Sequence, residues 1–479
     1  LPLVAAVAFC LHASSRAATI KVDDATAGSV AGKCTIVDAI TAVNTQMAVN
    51  GCVAGDSNND TVDLTGFTVP TTISFTQAAS GFSHALAVTQ RMTISGALDG
   101  AGMPYVTLER SSVSGTPDFG LIQTSNILSL YGLMLANGSA QGGTFGGAIQ
   151  AGSQLNVDHC VLSDNASSSS GGAIVATNGV MLTDSTVTGN TAVTTGGGIL
   201  SSTTMQIYHS TISNNTTTSA SAMGGGGLYA TSSIIVHDSI ISGNSSAANG
   251  GGIYGGNNVS LVDSTVSGNH ALGGAGGGIL AINGIDATRS TIDNNTAATS
   301  GGGIYAADAS LTNSTITGNM AVNSGAGVYA HTISMDYATV FANTAQSRGG
   351  AGVNFSISGD ATGTIIFGNS PRDLNTSSHA ALSGSHNLIA SSIWGVPADT
   401  ITCNPMLGPL GNYGGPTMTL PLASGSCAIG AASLTPDQPT DQRGFPRPAA
   451  GQANLAADIG AFERQLADDP DLIFANGFD

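Results

Sequence analysis

The sequence predicts an all-β solenoid, a right-handed parallel β-helix with about 25 residues per coil. Three observations carry the prediction. Two sequence markers recur in step, residue columns alternate as short strands do, and the composition suits tight turns and little else.

The first marker is Gly-Gly-x-aliphatic. It ends at Ile149, Ile174, Ile199, Leu228, Ile253, Ile279, Ile304, Val328 and Val353, at spacings of 24 to 29 residues. The second is the Asn that closes segments such as Ser264-Thr265-Val266-Ser267-Gly268-Asn269. Its copies are Asn165, Asn190, Asn215, Asn244, Asn269, Asn295, Asn319, Asn343 and Asn369, and Asn137 reads as one more. Three residues before each Asn stands an aliphatic residue (Leu162, Val187, Ile212). Five before stands a small one (Cys160, Ser185, Ser210). Equal parity puts both inward on one strand. Eight before stands Val157, Leu182 or Ile207, on a second strand beyond a corner, and Gly-Gly-x-aliphatic forms a third. One coil cannot bury these columns, but stacked coils bury them continuously. Parallel stacking at about 4.8 Å also pairs every backbone group with the next coil. The repeated Asn is expected to form a stacked amide ladder at a corner. Cys160 falls in the small inward column and reads as a core thiol.

Composition narrows the function. Glycine supplies 66 of 479 residues, and charged residues only 8 %, against roughly 25 % in ordinary globular proteins. With 41 % apolar residues and 15 prolines, the chain is neither disordered nor collagen-like. The net charge of −18 comes without basic clusters, which excludes nucleic-acid binding. A monomer is expected.

The ends differ from the repeat. Residues 1–18 read as a signal peptide shortened at its start, with apolar Leu3–Leu11 followed by Ser15-Arg16-Ala17. No later apolar run reaches the roughly 20 residues that span a bilayer. Export fits the cysteines: Cys34 with Cys52 and Cys403 with Cys427 are the simplest local bridges. Residues 19–60 are an N-terminal cap in which Ile36, Ile40 and Val43 share one helical face. Residues 61–370 form the β-helix, 371–465 a terminal module, and 466–479 an acidic and aromatic tail.

Several segments carry family resemblances. Cys34-Thr35-Ile36-Val37-Asp38-Ala39-Ile40 and Asn50-Gly51-Cys52 resemble the CSLREA-type N-terminal domain of secreted bacterial proteins, with Ile36-Val37-Asp38 where that family has Leu-Arg-Glu. The repeats resemble those of polymorphic outer membrane proteins and of the pectate-lyase-like β-helix superfamily. Asn404-Pro405-Met406, Asn412-Tyr413-Gly414-Gly415-Pro416, Asp441-Gln442-Arg443-Gly444 and Asp458-Ile459-Gly460-Ala461-Phe462-Glu463 resemble the choice-of-anchor Q module. The closing Ile473–Asp479 is similar to an ending seen on exported proteins of some gammaproteobacteria. The resemblances imply secretion or display at the outer membrane surface, and no particular reaction.

Candidate chemistry is sparse. Between residues 120 and 370 there is no Lys, and the only Arg are Arg289 and Arg348, which argues against a lyase. The column six before the Asn reads His159, Asp184, His209, Asp238, Asp263, Arg289, Asn313. Asp238 and Asp263 lie on adjacent coils, so a polysaccharide hydrolase would use them as paired carboxylates about 5 Å apart, tuned by Arg289. The plainer reading is a turn column, since Asp and Asn favour corners. Tyr229, Tyr254, Tyr305 and Tyr329 follow the strand aliphatic and face outward, a stripe able to stack on sugar rings. The long coil inserts Thr218–Met223 beside them. Outward Thr pairs such as Thr186/Thr188 raise ice binding, but the ladder breaks at Ile240 and Asp293. No cofactor is expected. Without CxxC spacing zinc is not expected either, and no motif supports calcium. The expectation is an exported β-helix scaffold for adhesion or glycan contact, with a polysaccharide hydrolase as the alternative.

Overall fold

The computed structural model describes residues 17–465, except 57, 144, 348–349, 377–379, 393–394 and 450–454, together with residue 468. The expected signal segment up to residue 16, Arg348 and nearly all of the expected tail lie outside the described residues.

Among the described residues the coils stack into three parallel sheets of 22, 13 and 9 strands. The first sheet is largest because most coils give it two strands, for example Ile174–Ala176 and Val180–Thr183. The sequence columns put these on separate faces. The three residues between them bend the chain, and both strands count in one sheet because a later, uninterrupted strand pairs with each of the two. The second sheet holds the strand before each Asn, such as Thr186–Thr188. The third holds a two-residue strand just after it, such as Thr191–Ala192, where one side chain per coil turns inward. So short a segment leaves no alternation to read in the sequence.

Register is strict. Ile174 pairs with Ile199, Leu182 with Ile207, and Val187 with Ile212. Each inward column therefore stacks aliphatic on aliphatic, and all six of these side chains are fully buried. Burial of each such side chain stabilises by roughly 1.5–3 kcal/mol. From residue 279 the bend is lost. Ile279–Thr288, Ile304–Thr312, Val328–Asp336 and Val353–Thr362 run as single long strands. The register between them shifts at Ala281/Gly284 and again at Ala330/Thr332.

Two side-chain ladders line the corners. In the first, the Oδ1 of Asn190 accepts from the backbone N and the Nδ2 of Asn165, both at 3.0 Å. The pattern repeats coil by coil to Asn369, whose N and Nδ2 donate to Asp373 Oδ1 at 2.8 and 3.0 Å. The ladder starts one residue later than the sequence suggested. Gly138 N, not Asn137, donates to Asn165 Oδ1 at 2.9 Å, while Asn137 turns to Glu109. In the second ladder, the backbone N of Cys160, Ser185, Ser210 and Ser239 donates to the hydroxyl one coil on. Cys160 itself is buried and unbridged, and burial pushes its thiol up to about 12.

The N-terminal end is closed by the helix Ile36–Thr45, capped by Thr35, whose hydroxyl accepts from Asp38 N. Ile36, Ala39, Ile40 and Val43 are buried against the first coils, and the Cys34–Cys52 disulfide fastens the helix start. A second disulfide joins Cys403 and Cys427.

The C-terminal segment does not stand apart. After the strand Leu388–Ile389, residues 404–449 and 455–463 fold back over the second sheet as a strap. Thr417 Oγ1 donates to Arg289 O at 2.8 Å, and Ala461 N donates to Thr339 Oγ1 at 2.9 Å. Gln442 is fully buried. Its Oε1 accepts from Thr315 and its Nε2 donates to Thr291, Thr417 and Met418 O. Arg443 lies 3.7 Å from the Phe462 ring centre and bonds Asp441. Arg447 bonds Glu463 and lies over Tyr337. The motifs in this segment are thus packing devices of the strap.

Candidate functional site

Three outer features concern function, and each follows from where the coil bends. The first is the corner column. His159, Asp184, His209, Asp238, Asp263 and Arg289 all have φ between 46° and 51°, the left-handed conformation in which Asp and Asn are enriched. The structure brings Asp238 and Asp263 together as the sequence suggested, with ligand atoms within 4.8 Å. Arg289 then occupies both oxygens of Asp263, its Nε at 2.7 Å and its Nη2 at 2.5 Å. That double bond raises the guanidinium pKa. Asp238 Oδ2 is itself 2.6 Å from His237 Nδ1.

The second feature is the tyrosine stripe. Tyr229 and Tyr254 lie outside the central core and stack at 5.0 Å. Yet they are only 8 and 9 % exposed, because Ala275 and Leu280 pack with them and Tyr229 Oη donates to Met223 Sδ. The insertion Thr218–Met223 therefore touches the stripe as expected, but it covers the tyrosines instead of flanking an open platform. Burial raises the pKa of both phenols. Tyr305 and Tyr329 stack at 5.0 Å with rings 2° from parallel, and these two stay partly exposed.

The third feature was not foreseen. Where the long strands replace the bent ones, the outer face of the first sheet sinks into a groove of about 450 Å³. Asn258, Asp286, Asp308, Ser310, Thr332 and Ser334 line it. Asp286 pairs with Ser310 and Asp308 with Gly284, so the two carboxylates are diagonal neighbours on adjacent strands. Thr332 Oγ1 donates to Asp308 Oδ1. Among the described residues no Lys or Arg lines the groove. Tyr305 and Tyr329 lie in two of the same strands, three residues before Asp308 and Thr332. The sequence signal was a polar residue every 24 to 26 positions in the later coils: Ser260, Asp286, Ser310, Ser334, Asp360.

These observations define the class, a right-handed parallel β-helix. A family described as "Right handed beta helix region" matches residues 174–356. No curated protein and no solved structure gives a match. Among the described residues no helix is long and apolar enough to cross a membrane.

Proposed function

We propose that the protein is an exported, surface-associated or secreted β-helix scaffold that holds a neutral polysaccharide or cell-surface glycan in the groove beside Tyr305 and Tyr329. The observation that carries the reading is the groove's lining: carboxylates and hydroxyls, with no cationic side chain among the described residues. Carboxylates accept hydrogen bonds from vicinal sugar hydroxyls, whereas an acidic polymer would meet only like charge. The exposed tyrosine pair adds a stacking surface at one end. Export is supported by the two disulfides and by the CSLREA-like and choice-of-anchor Q-like segments.

The test is co-sedimentation and affinity electrophoresis with neutral and acidic polysaccharides, with and without calcium. Retention by a neutral polymer that is lost in Asp308→Asn and in Tyr305→Ala/Tyr329→Ala supports the reading. Equal retention in those variants refutes it. The hydrolase alternative draws on Asp286 and Asp308, two carboxylates that share the groove, in place of Asp238 and Asp263. Release of new reducing ends, abolished by Asp286→Asn, would establish it.

A further inference from the structure

The corner column contains two histidine–carboxylate groups outside the central core and the groove, with the His159 ring 5.3 Å from that of Tyr131 and the His237 ring 6.4 Å from that of Tyr208. On four adjacent coils it reads His159, Asp184, His209 and Asp238, with φ between 46° and 49°. One backbone conformation aims all four side chains alike, and the coils are about 4.8 Å apart. Ligand atoms of Asp158, His159 and Asp184 lie within 4.8 Å of one another, as do those of His237, Asp238 and Asp263.

The distances suit a shared ion. His209 Nε2 is 3.6 Å from Asp238 Oδ2. Two ligand atoms on one tetrahedral zinc ion, with bonds of about 2.1 Å, stand roughly 3.4 Å apart. The first group contains the outer contact that metal-binding histidines use, and in the second an imidazole supports the ligand carboxylate. Asp158 Oδ1 is 2.6 Å from His159 Nδ1, and Asp238 Oδ2 is 2.6 Å from His237 Nδ1. A carboxylate on Nδ1–H fixes the tautomer and leaves Nε2 with its lone pair outward. The side chains of His159, His209 and His237 are 34, 57 and 41 % exposed, so an ion reaches them from solvent.

We propose that this corner binds divalent transition-metal ions of the zinc class. One site is His159–Asp184 with Asp158 holding the imidazole, and a second is His209–Asp238 with His237 supporting the carboxylate. Mixed imidazole and carboxylate donors favour zinc, copper or nickel over calcium, which takes oxygen ligands. The first site is the tighter. Its group holds two carboxylates, Asp158 and Asp184, whereas in the second group Asp263 is already neutralised by Arg289. This inference is independent of the glycan reading, because the groove and the corner share no residue.

The test titrates the full chain, free of any histidine tag, with ZnCl₂ by calorimetry and with CoCl₂ by visible absorption. Two zinc ions per chain are expected, with a cobalt band of low-symmetry four-coordinate type. His159→Gln and Asp184→Asn should each remove the tighter site, and His209→Gln the weaker, all with unchanged circular dichroism. CaCl₂ at the same concentration should give no comparable heat. Three results would overturn the proposal: no zinc uptake at millimolar concentration, uptake unchanged in the His159→Gln/His209→Gln double variant, or calcium binding as tight as zinc.

Discussion

Replacing Asn269 with alanine tests whether the amide ladder holds neighbouring coils in place. Asn269 is fully buried. Its Oδ1 accepts from Asn244 N at 2.9 Å and Asn244 Nδ2 at 3.0 Å, and its Nδ2 donates to Ile241 O and Asn295 Oδ1, both at 2.9 Å. Alanine removes all four bonds. Asn244 Nδ2 keeps Ile212 O, and Asn295 Oδ1 keeps the backbone N of residue 269. The group left wholly without a partner is the buried Asn244 N–H, which costs about 1–3 kcal/mol. The gap left by the carboxamide, on the order of 40 Å³, adds about 1 kcal/mol. A loss of about 3 kcal/mol makes opening of this coil roughly a hundredfold more frequent. Hydrogen exchange of a peptide covering residues 240–250 reads that change directly. Thr265→Ala, on the outer face of the same coil, should shift exchange by less than about threefold. If Asn269→Ala accelerates exchange no more than Thr265→Ala does, the aliphatic columns alone hold the register and the reasoning fails.

Three further outcomes are expected. Changing Cys34 and Cys52 together to serine should lower stability by about 3 kcal/mol, with new proteolytic cleavage between residues 46 and 56. Gln442→Ala should release the strap at a cost of about 2–4 kcal/mol, read as protease sensitivity within residues 404–463 while exchange in residues 150–270 stays unchanged. His84 is fully buried with Nε2 3.2 Å from Gly146 O, and burial pushes its pKa down to about 4. Because the folded value lies below the unfolded one, its contribution is complete above about pH 6.5 and is lost as pH falls towards 4, in total about 3 kcal/mol. The stability difference between the native chain and His84→Gln, followed by urea unfolding, should shrink across that window; a constant difference would contradict the assignment.

The solenoid was legible because it repeats: residues at one phase meet the same environment coil after coil, so Val187, Ile212 and Ile241 report one another. What failed to show was whatever breaks the phase. Asn137 looked like a ladder member, but the position opposite Asn165 belongs to Gly138, one residue on. The two strands of the first sheet looked separate because a bend such as that at residues 177–179 divides them, and they join one sheet because later coils run straight through both. The groove was hidden because it arises where that bend is lost, so Asp286 and Asp308 are 22 residues apart yet sit on neighbouring strands. The burial of Tyr229 depends on an insertion whose path the sequence does not fix. The strap was unreadable for a different reason. Its bonds join residues more than 100 apart, such as Thr315 to Gln442, and no local pattern encodes such a pair.

The amide ladder also has an electrical direction. Every carboxamide presents its oxygen to the preceding coil and one N–H to the oxygen of the following one, while its Nδ2 also donates back to a backbone carbonyl of the preceding coil. An amide group carries a dipole of about 3.5 D, and aligned dipoles add, as they do along a helix. The column is therefore positive at its C-terminal pole, where Asp373 places a carboxylate that takes both donors of Asn369. The opposite pole ends on a neutral backbone N–H at Gly138. Coils can be gained or lost inside such a column without disturbing either pole, so length is free to vary by duplication. Truncation before Asp373 is different: it would leave the summed field uncompensated and the Asn369 backbone N–H without its acceptor, while Nδ2 keeps Val340 O.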